Sequence, residues 1–130
     1  MRMKELVLVL ISSWLGGVAS APAAENDPET VLVTYHIKEG KAEAFGQLMD
    51  RTWLIYQRLG MVFDRPHMVM RGNEKGGMFM AEILTWKSHS MPDNAPAEVH
   101  ALWDEMQALC EKRGGRAGIE IPEVEVLRNN

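Results

Sequence analysis

A single cysteine, Cys110, stands among the 130 residues, so no intrachain disulfide can form. A lone thiol in an oxidising compartment is either buried or shared between chains, and the helical spacing of Cys110 favours burial. Basic charge is also scarce: 14 Lys and Arg face 18 Asp and Glu, a formal charge of −4, with no basic block. That balance argues against nucleic acid as a partner. There is no Cys/His cluster, no glycine-rich phosphate loop, no Ser/His/Asp spacing and no internal repeat. A lone Gly76-Gly77 is a turn. No hydrophobic run is long enough to span a bilayer comfortably; the longest, Leu6 to Val18, has about a dozen residues.

That run belongs to a leader. Arg2 and Lys4 give a basic start, the apolar run follows, and Ala19, Ser20, Ala21, Pro22, Ala23 and Ala24 supply small residues for cleavage. Residues 1–24 are expected to be a signal peptide cut between Ser20 and Ala24, with export to the periplasm or the exterior and no membrane contact afterwards. No cysteine near the cut permits a lipid anchor. Residues 25–130 then form one domain.

The mature chain reads strand–helix–strand–strand–helix–strand. Val31 to Lys38 alternates and is β-branched. Val31, Val33, Tyr35 and Ile37 make one face; Leu32, Thr34 and His36 make the other. Phe45, Leu48, Met49, Thr52, Tyr56 and Leu59 recur at helical spacing over 41–59, and Gly60 fits a left-handed cap. His67 to Arg71 is a short strand, residues 72–77 a mobile hairpin loop, and Met78 to Lys87 the central strand, apolar on both faces. Ser88 to Ala95 is a loop in which Asp93 or Asn94 caps the next helix, with Pro96 in its first turn. Val99, Leu102, Trp103, Met106, Leu109 and Cys110 line one side of that helix, and Gly114-Gly115 stops it. The last strand is expected at about Glu123 to Arg128, after Pro122. Two helices cover only one face of a four-stranded sheet, so the second apolar face calls for a second copy of the chain.

This order resembles the antibiotic biosynthesis monooxygenase-like (ABM) family of dimeric α/β barrels. The resemblance is carried by Met80-Ala-Glu-Ile-Leu-Thr-Trp-Lys-Ser88, by Val99-His-Ala-Leu-Trp-Asp-Glu-Met-Gln-Ala-Leu-Cys110, and by Thr52-Trp53 and Arg58-Leu-Gly60 in the first helix. It implies a ferredoxin-like α+β subunit, βαββαβ, with a four-stranded antiparallel sheet and both helices on one face. It also implies a homodimer enclosing a cavity between facing sheets. Family enzymes oxidise aromatic polyketides or quinols without metal or flavin, so neither cofactor nor metal is expected. The haem-degrading subgroup is not matched: the first strand has no asparagine, no tryptophan follows Ser88 until Trp103, and His100 lacks the expected spacing to Trp86.

The expected function is cofactor-independent oxygenation of a small aromatic or quinol-like molecule. The alternatives are a non-catalytic module holding a small apolar ligand, or a structural dimer with no ligand. His36 is the candidate base, being a histidine whose ordinary pKa lies near 6.5 on the face away from the helices. Arg71 and His67 share a strand face, and Arg71 suits an anionic oxygen. Trp86 offers a stacking surface or a core aromatic. Leu32, Met80 and Leu84 supply apolar wall. Glu82 requires a partner if buried. Met68, Met70, Met78 and Met80 form two Met-x-Met pairs that suit Cu(I) only if they share a face, which depends on strand register. Methionine also fills irregular cores.

Overall fold

The computed structural model describes residues 25–64 and 66–129; the expected leader lies outside them. The elements in chain order are β1 (Glu29–His36), α1 (Ala42–Arg58), β2 (Met68–Glu74), β3 (Gly77–Trp86), a single-turn α2 (Ser90–Asp93), α3 (Ala97–Ala108) and β4 (Ile119–Glu120). They build a four-stranded sheet in the order β2-β3-β1-β4, antiparallel at every described pairing. This is the ferredoxin-like α+β arrangement, with α1 and α3 against one face.

Register sorts the side chains. Val31 pairs with Leu84, Val33 with Glu82 and Tyr35 with Met80, so these residues share the helix-covered face. Leu32 pairs with Ile83, Thr34 with Ala81 and His36 with Phe79 on the open face. Across the hairpin, Met68 opposes Ile83, Met70 opposes Ala81 and Gly72 opposes Phe79. The core is therefore the odd-numbered side of β1 with Phe45, Leu48, Met49, Tyr56, Val99, Leu102 and Met106 from the helices. The open face keeps half-buried Leu32, Phe79 and Ile83 and exposed Met68 and Met70. Among the described residues no helix is long and apolar enough to cross a membrane.

Turn chemistry decides the edges. Gly60 takes φ 70° just past α1, the left-handed cap that its position requires. The expected six-residue loop at 72–77 is instead a continuous hairpin: Glu74 pairs with Gly77, leaving only Lys75-Gly76 as the turn. Gly76 and Gly77, at φ 100° and 144°, supply the tight reversal, so the strands run on to it. Gly72 is spared a side chain because the Phe79 ring lies over it, 2.7 Å from where a Cβ would sit. The 88–95 stretch is not all loop, since α2 occupies its middle. Pro96 sits one position before α3 as its cap residue, and no side chain caps that helix.

The last strand is also displaced. Pairing with β1 begins at Gly118, whose carbonyl accepts the His36 N–H at 2.9 Å. It continues as β4, resumes at the Val31–Glu123 bridge and ends with the Val124 N–H on the Thr30 carbonyl. Pro122 has no N–H to give, but its carbonyl accepts the Leu32 N–H at 3.0 Å, so it lies inside this pairing, one bond short, instead of preceding it. Val126 and Leu127 are left exposed.

Candidate ligand pocket

A cavity of about 50 Å³ lies between the helix-covered face of the sheet and α3. Val31, Val33 and Leu84 form its floor. Its aromatic walls are Tyr35, Tyr56, Trp86 and Trp103. Alternation on β1 and β3 aims the floor residues upward, and the i, i+4, i+7 spacing of Val99, Trp103 and Met106 aims α3 downward. Trp86 meets the Tyr56 ring edge-on at 5.0 Å and Trp103 at 6.4 Å between centroids. Glu29 stands at one end, and Pro92 and Asp93 of α2 line the mouth.

The polar atoms of these walls have internal partners. The Trp103 indole N–H donates to the Tyr56 hydroxyl at 2.6 Å. The Tyr35 hydroxyl donates to Glu82 Oε1 at 2.7 Å, and Glu82 Oε2 lies 3.0 Å from His67 Nε2. Glu82 is thus a buried carboxylate with two partners, as burial demands. The His67 ring in turn stacks flat on Trp53, centroids 3.5 Å apart. Burial first, and the Glu82 charge second, push the Tyr35 phenol well above its usual range. Burial likewise raises Tyr56, against the lowering effect of the Trp103 hydrogen bond.

The sequence candidates separate across the sheet. Trp86 and Leu84 line the pocket, Met80 packs in the core beside it, and His67 reaches it through Glu82 and Tyr35. Arg71 lies exposed on the edge strand β2. Leu32 and His36 are on the opposite face, so the single cavity holding both His36 and Trp86 does not exist within the protomer. His36 is 0 % exposed, covered by Glu74 at Nδ1 and Glu120 at Nε2. Its neighbours continue the network: Arg116 donates to Glu74 at 2.9 Å, and Arg113 reaches Glu74 at 3.3 Å. Burial would raise the Glu74 carboxyl, but the His36 and Arg116 hydrogen bonds and charges outweigh it and hold Glu74 below its ordinary value. The Met-x-Met pairs fall on opposite faces, because Met70 opposes Ala81 while Arg71 opposes Met80; they do not form one thioether cluster.

Tyr35, Tyr56 and Trp103 were legible as apolar positions but not as cavity walls. Glu29 lies before the expected start of the first strand. One further group unites residues far apart in sequence: Glu29, His89 and Glu123 bring one ligating atom each within 4.8 Å of one another.

No protein-family model matches the chain, and no curated protein matches it either. Among solved structures, the crystal structure of SnoaB, a cofactor-independent oxygenase from Streptomyces nogalater, is similar with a TM-score of 0.58. The match covers 79% of this chain and 96% of that one at 17% sequence identity. At that identity the likeness is one of fold.

Proposed function

We propose that the protein is an exported homodimer that admits a small aromatic or quinol-like molecule to the cavity between sheet and α3 and oxidises it with molecular oxygen. The observation that carries this reading is an aromatic-walled apolar cavity in a fold shared with a cofactor-independent oxygenase. Such a substrate supplies its own electrons. Deprotonation of a phenol or enol makes it a reductant for oxygen; one oxygen atom enters the substrate and the other leaves as water. The protein's part is an apolar, water-poor pocket and a route for the proton. Tyr35, Glu82 and His67 form that route: Tyr35 accepts the substrate proton as its own passes to Glu82, with His67 beyond.

At about 50 Å³ the cavity is well below the roughly 300–1,000 Å³ of pockets for drug-sized ligands. Entry therefore requires a wall to move. The segment suited to this is α2, which buries none of its residues yet carries Pro92 and Asp93 at the mouth.

The dimer reading rests on the open face. Leu32, Phe79, Ile83, Met68 and Met70 form a contiguous apolar surface that a second sheet would cover. Light scattering should report twice the mature mass; a stable monomer refutes it.

The test of activity is oxygen uptake by metal-free protein across a panel of anthrones, quinols and phenols. Glu82→Gln should lower kcat with little change in KM. No uptake with any substrate, together with saturable quenching of tryptophan fluorescence by the same compounds, would favour a non-catalytic ligand-binding module. The internal hydrogen bonds of Tyr56, Trp103 and Tyr35 favour that second reading, because they leave few polar atoms to orient a reaction.

A further inference from the structure

We propose that Glu29, His89 and Glu123 form a divalent-cation site that ties the α2 segment and the C-terminal segment to the sheet at the mouth of the cavity. The residues come from three separate stretches. Glu29 opens β1, His89 immediately precedes α2, and Glu123 bridges to Val31 on the edge of the sheet. One ligating atom from each lies within 4.8 Å of the others.

The imidazole is already oriented as a ligand. His89 Nδ1 stands 2.9 Å from the Asp27 carbonyl oxygen, which can only accept. The Nδ1 nitrogen must therefore carry a proton, and Nε2 is left facing the cluster. A metal-bound histidine ordinarily donates its other N–H in this way. The His89 backbone N–H donates to the same Asp27 carbonyl at 3.0 Å, so ring and backbone share one anchor.

Nε2 then stands 3.0 Å from Glu123 Oε2. A neutral Nε2 lone pair and a carboxylate oxygen repel at that distance unless a cation lies between or beside them. A proton is one such cation and a metal is the other. Two ligands of one tetrahedral ion, bonded at about 2.0–2.1 Å, are about 3.3 Å apart, close to the observed spacing. All three ligating atoms lie within 4.8 Å of one another, and a pair at that limit must close by about 1.5 Å to reach the tetrahedral spacing. Glu123 is 54 % exposed and free to make that adjustment, while Glu29 is 2 % exposed and fixed. Two carboxylates and a neutral imidazole carry a charge of −2, which a divalent ion balances and a single proton does not. One nitrogen and two oxygens suit Zn²⁺ or a similar first-row ion, not a soft monovalent one.

The ion would join the stretch before α2 to β1 and to the strand-like tail, and Glu29 also lines the cavity. Metal occupancy would thus restrain the lid. The role is positional and independent of the oxidation proposed above.

The test uses the untagged full chain, dialysed against chelator and titrated with zinc chloride by calorimetry. One zinc per chain is expected, with a rise in Tm. His89→Ala and Glu123→Gln should each weaken binding by about tenfold or more, whereas His100→Ala, an exposed histidine on α3, should not. Zinc should also slow amide exchange across residues 88–95 in the wild type but not in His89→Ala. Absence of one-per-chain saturable binding, or binding that survives His89→Ala unweakened, overturns the site. Tight binding without slower exchange at 88–95 overturns the clamp.

Discussion

Replacing Arg113 with methionine should be among the most damaging single changes outside the apolar core. The guanidinium is 6 % exposed. One of its terminal nitrogens donates to the Met78 carbonyl at 2.7 Å, and the other to the Ile37 carbonyl at 2.9 Å. Those carbonyls belong to the ends of two neighbouring strands, so Arg113 ties the chain beyond α3 to both. It also pairs with Glu111 and Glu74. Arg113→Met keeps the aliphatic stem and removes every donor. Each charge-assisted bond to a carbonyl is worth about 1.5–3 kcal/mol. A cavity of about 220 Å³ borders Ile37, Met78 and Arg113, so water can reach part of what is exposed, and the lower end of that range applies to each. The pair with Glu111 adds little, because that carboxylate is 42 % exposed. The expected loss is about 3 kcal/mol. With an m-value near 2 kcal/mol/M, the urea midpoint should fall by roughly 1.5 M at fixed protein concentration.

The control is Arg116→Ala. Arg116 also bonds Glu74, at 2.9 Å, but its side chain is 51 % exposed, and its loss should cost about 0–1 kcal/mol. Arg113→Lys should fall between, since one ammonium cannot fork to two carbonyls. If Arg113→Met and Arg116→Ala shift the midpoint equally, burial and carbonyl count are not what matters here.

Trp103→Phe removes the donor to the Tyr56 hydroxyl and part of a cavity wall, and should cost about 1–3 kcal/mol in chemical denaturation. Glu74 has a folded pKa below its unfolded value, so its contribution is present above that unfolded value and is lost as pH falls through the folded one; Glu74→Gln should flatten this part of the acid-denaturation curve. Cys110 is buried, and desolvation pushes its thiol up to about 12 against the lowering charges of Lys38 and Arg113. It should resist a thiol reagent in the native state and react once unfolded; fast native labelling would refute its burial.

The fold was legible because periodicity carried it. Alternation in β1 and β3 and the helical stripe of Val99, Leu102, Trp103 and Met106 are local patterns, and the structure keeps them. What failed was set by chemistry that a hydrophobic pattern does not report. Val124, Val126 and Leu127 look like a strand, yet the pairing with β1 runs from Gly118 through the Pro122 carbonyl to Val124, and the stretch from Gly118 to Glu120 has little β pattern. Asn73 and three nearby glycines look like a loose loop, yet Lys75-Gly76 alone makes the turn. His36 was visible as a polar residue on an apolar strand. Its partners Glu74 and Glu120 are 38 and 84 positions away, and no local pattern announces them. The same distance hid Glu29, His89 and Glu123, which meet only after the edge of the sheet is assembled.

Parity along β3 gives a direct test of how the two faces divide the work. Ile83 and Leu84 are neighbours in sequence, but a strand sends them to opposite sides. Leu84 is 1 % exposed and forms the pocket floor, whereas Ile83 is half-buried on the open face, between Leu32 of β1 and Met68 of β2. Leu84→Ala should cost about 2–5 kcal/mol, because a fully buried side chain leaves a cavity its rigid neighbours cannot fill. It should also alter the binding of any molecule held between sheet and α3. Ile83→Asp should do the reverse. In the protomer its carboxylate can reach water, so folding should survive with a modest loss. In a sheet-to-sheet dimer the same group meets an apolar surface at the centre of the contact, and the expected outcome is a monomer by light scattering. If the wild type is dimeric and Ile83→Asp remains so, the copies meet elsewhere than on the open face. If Ile83→Asp unfolds the protein as thoroughly as Leu84→Ala, the open face is part of the protomer's own core.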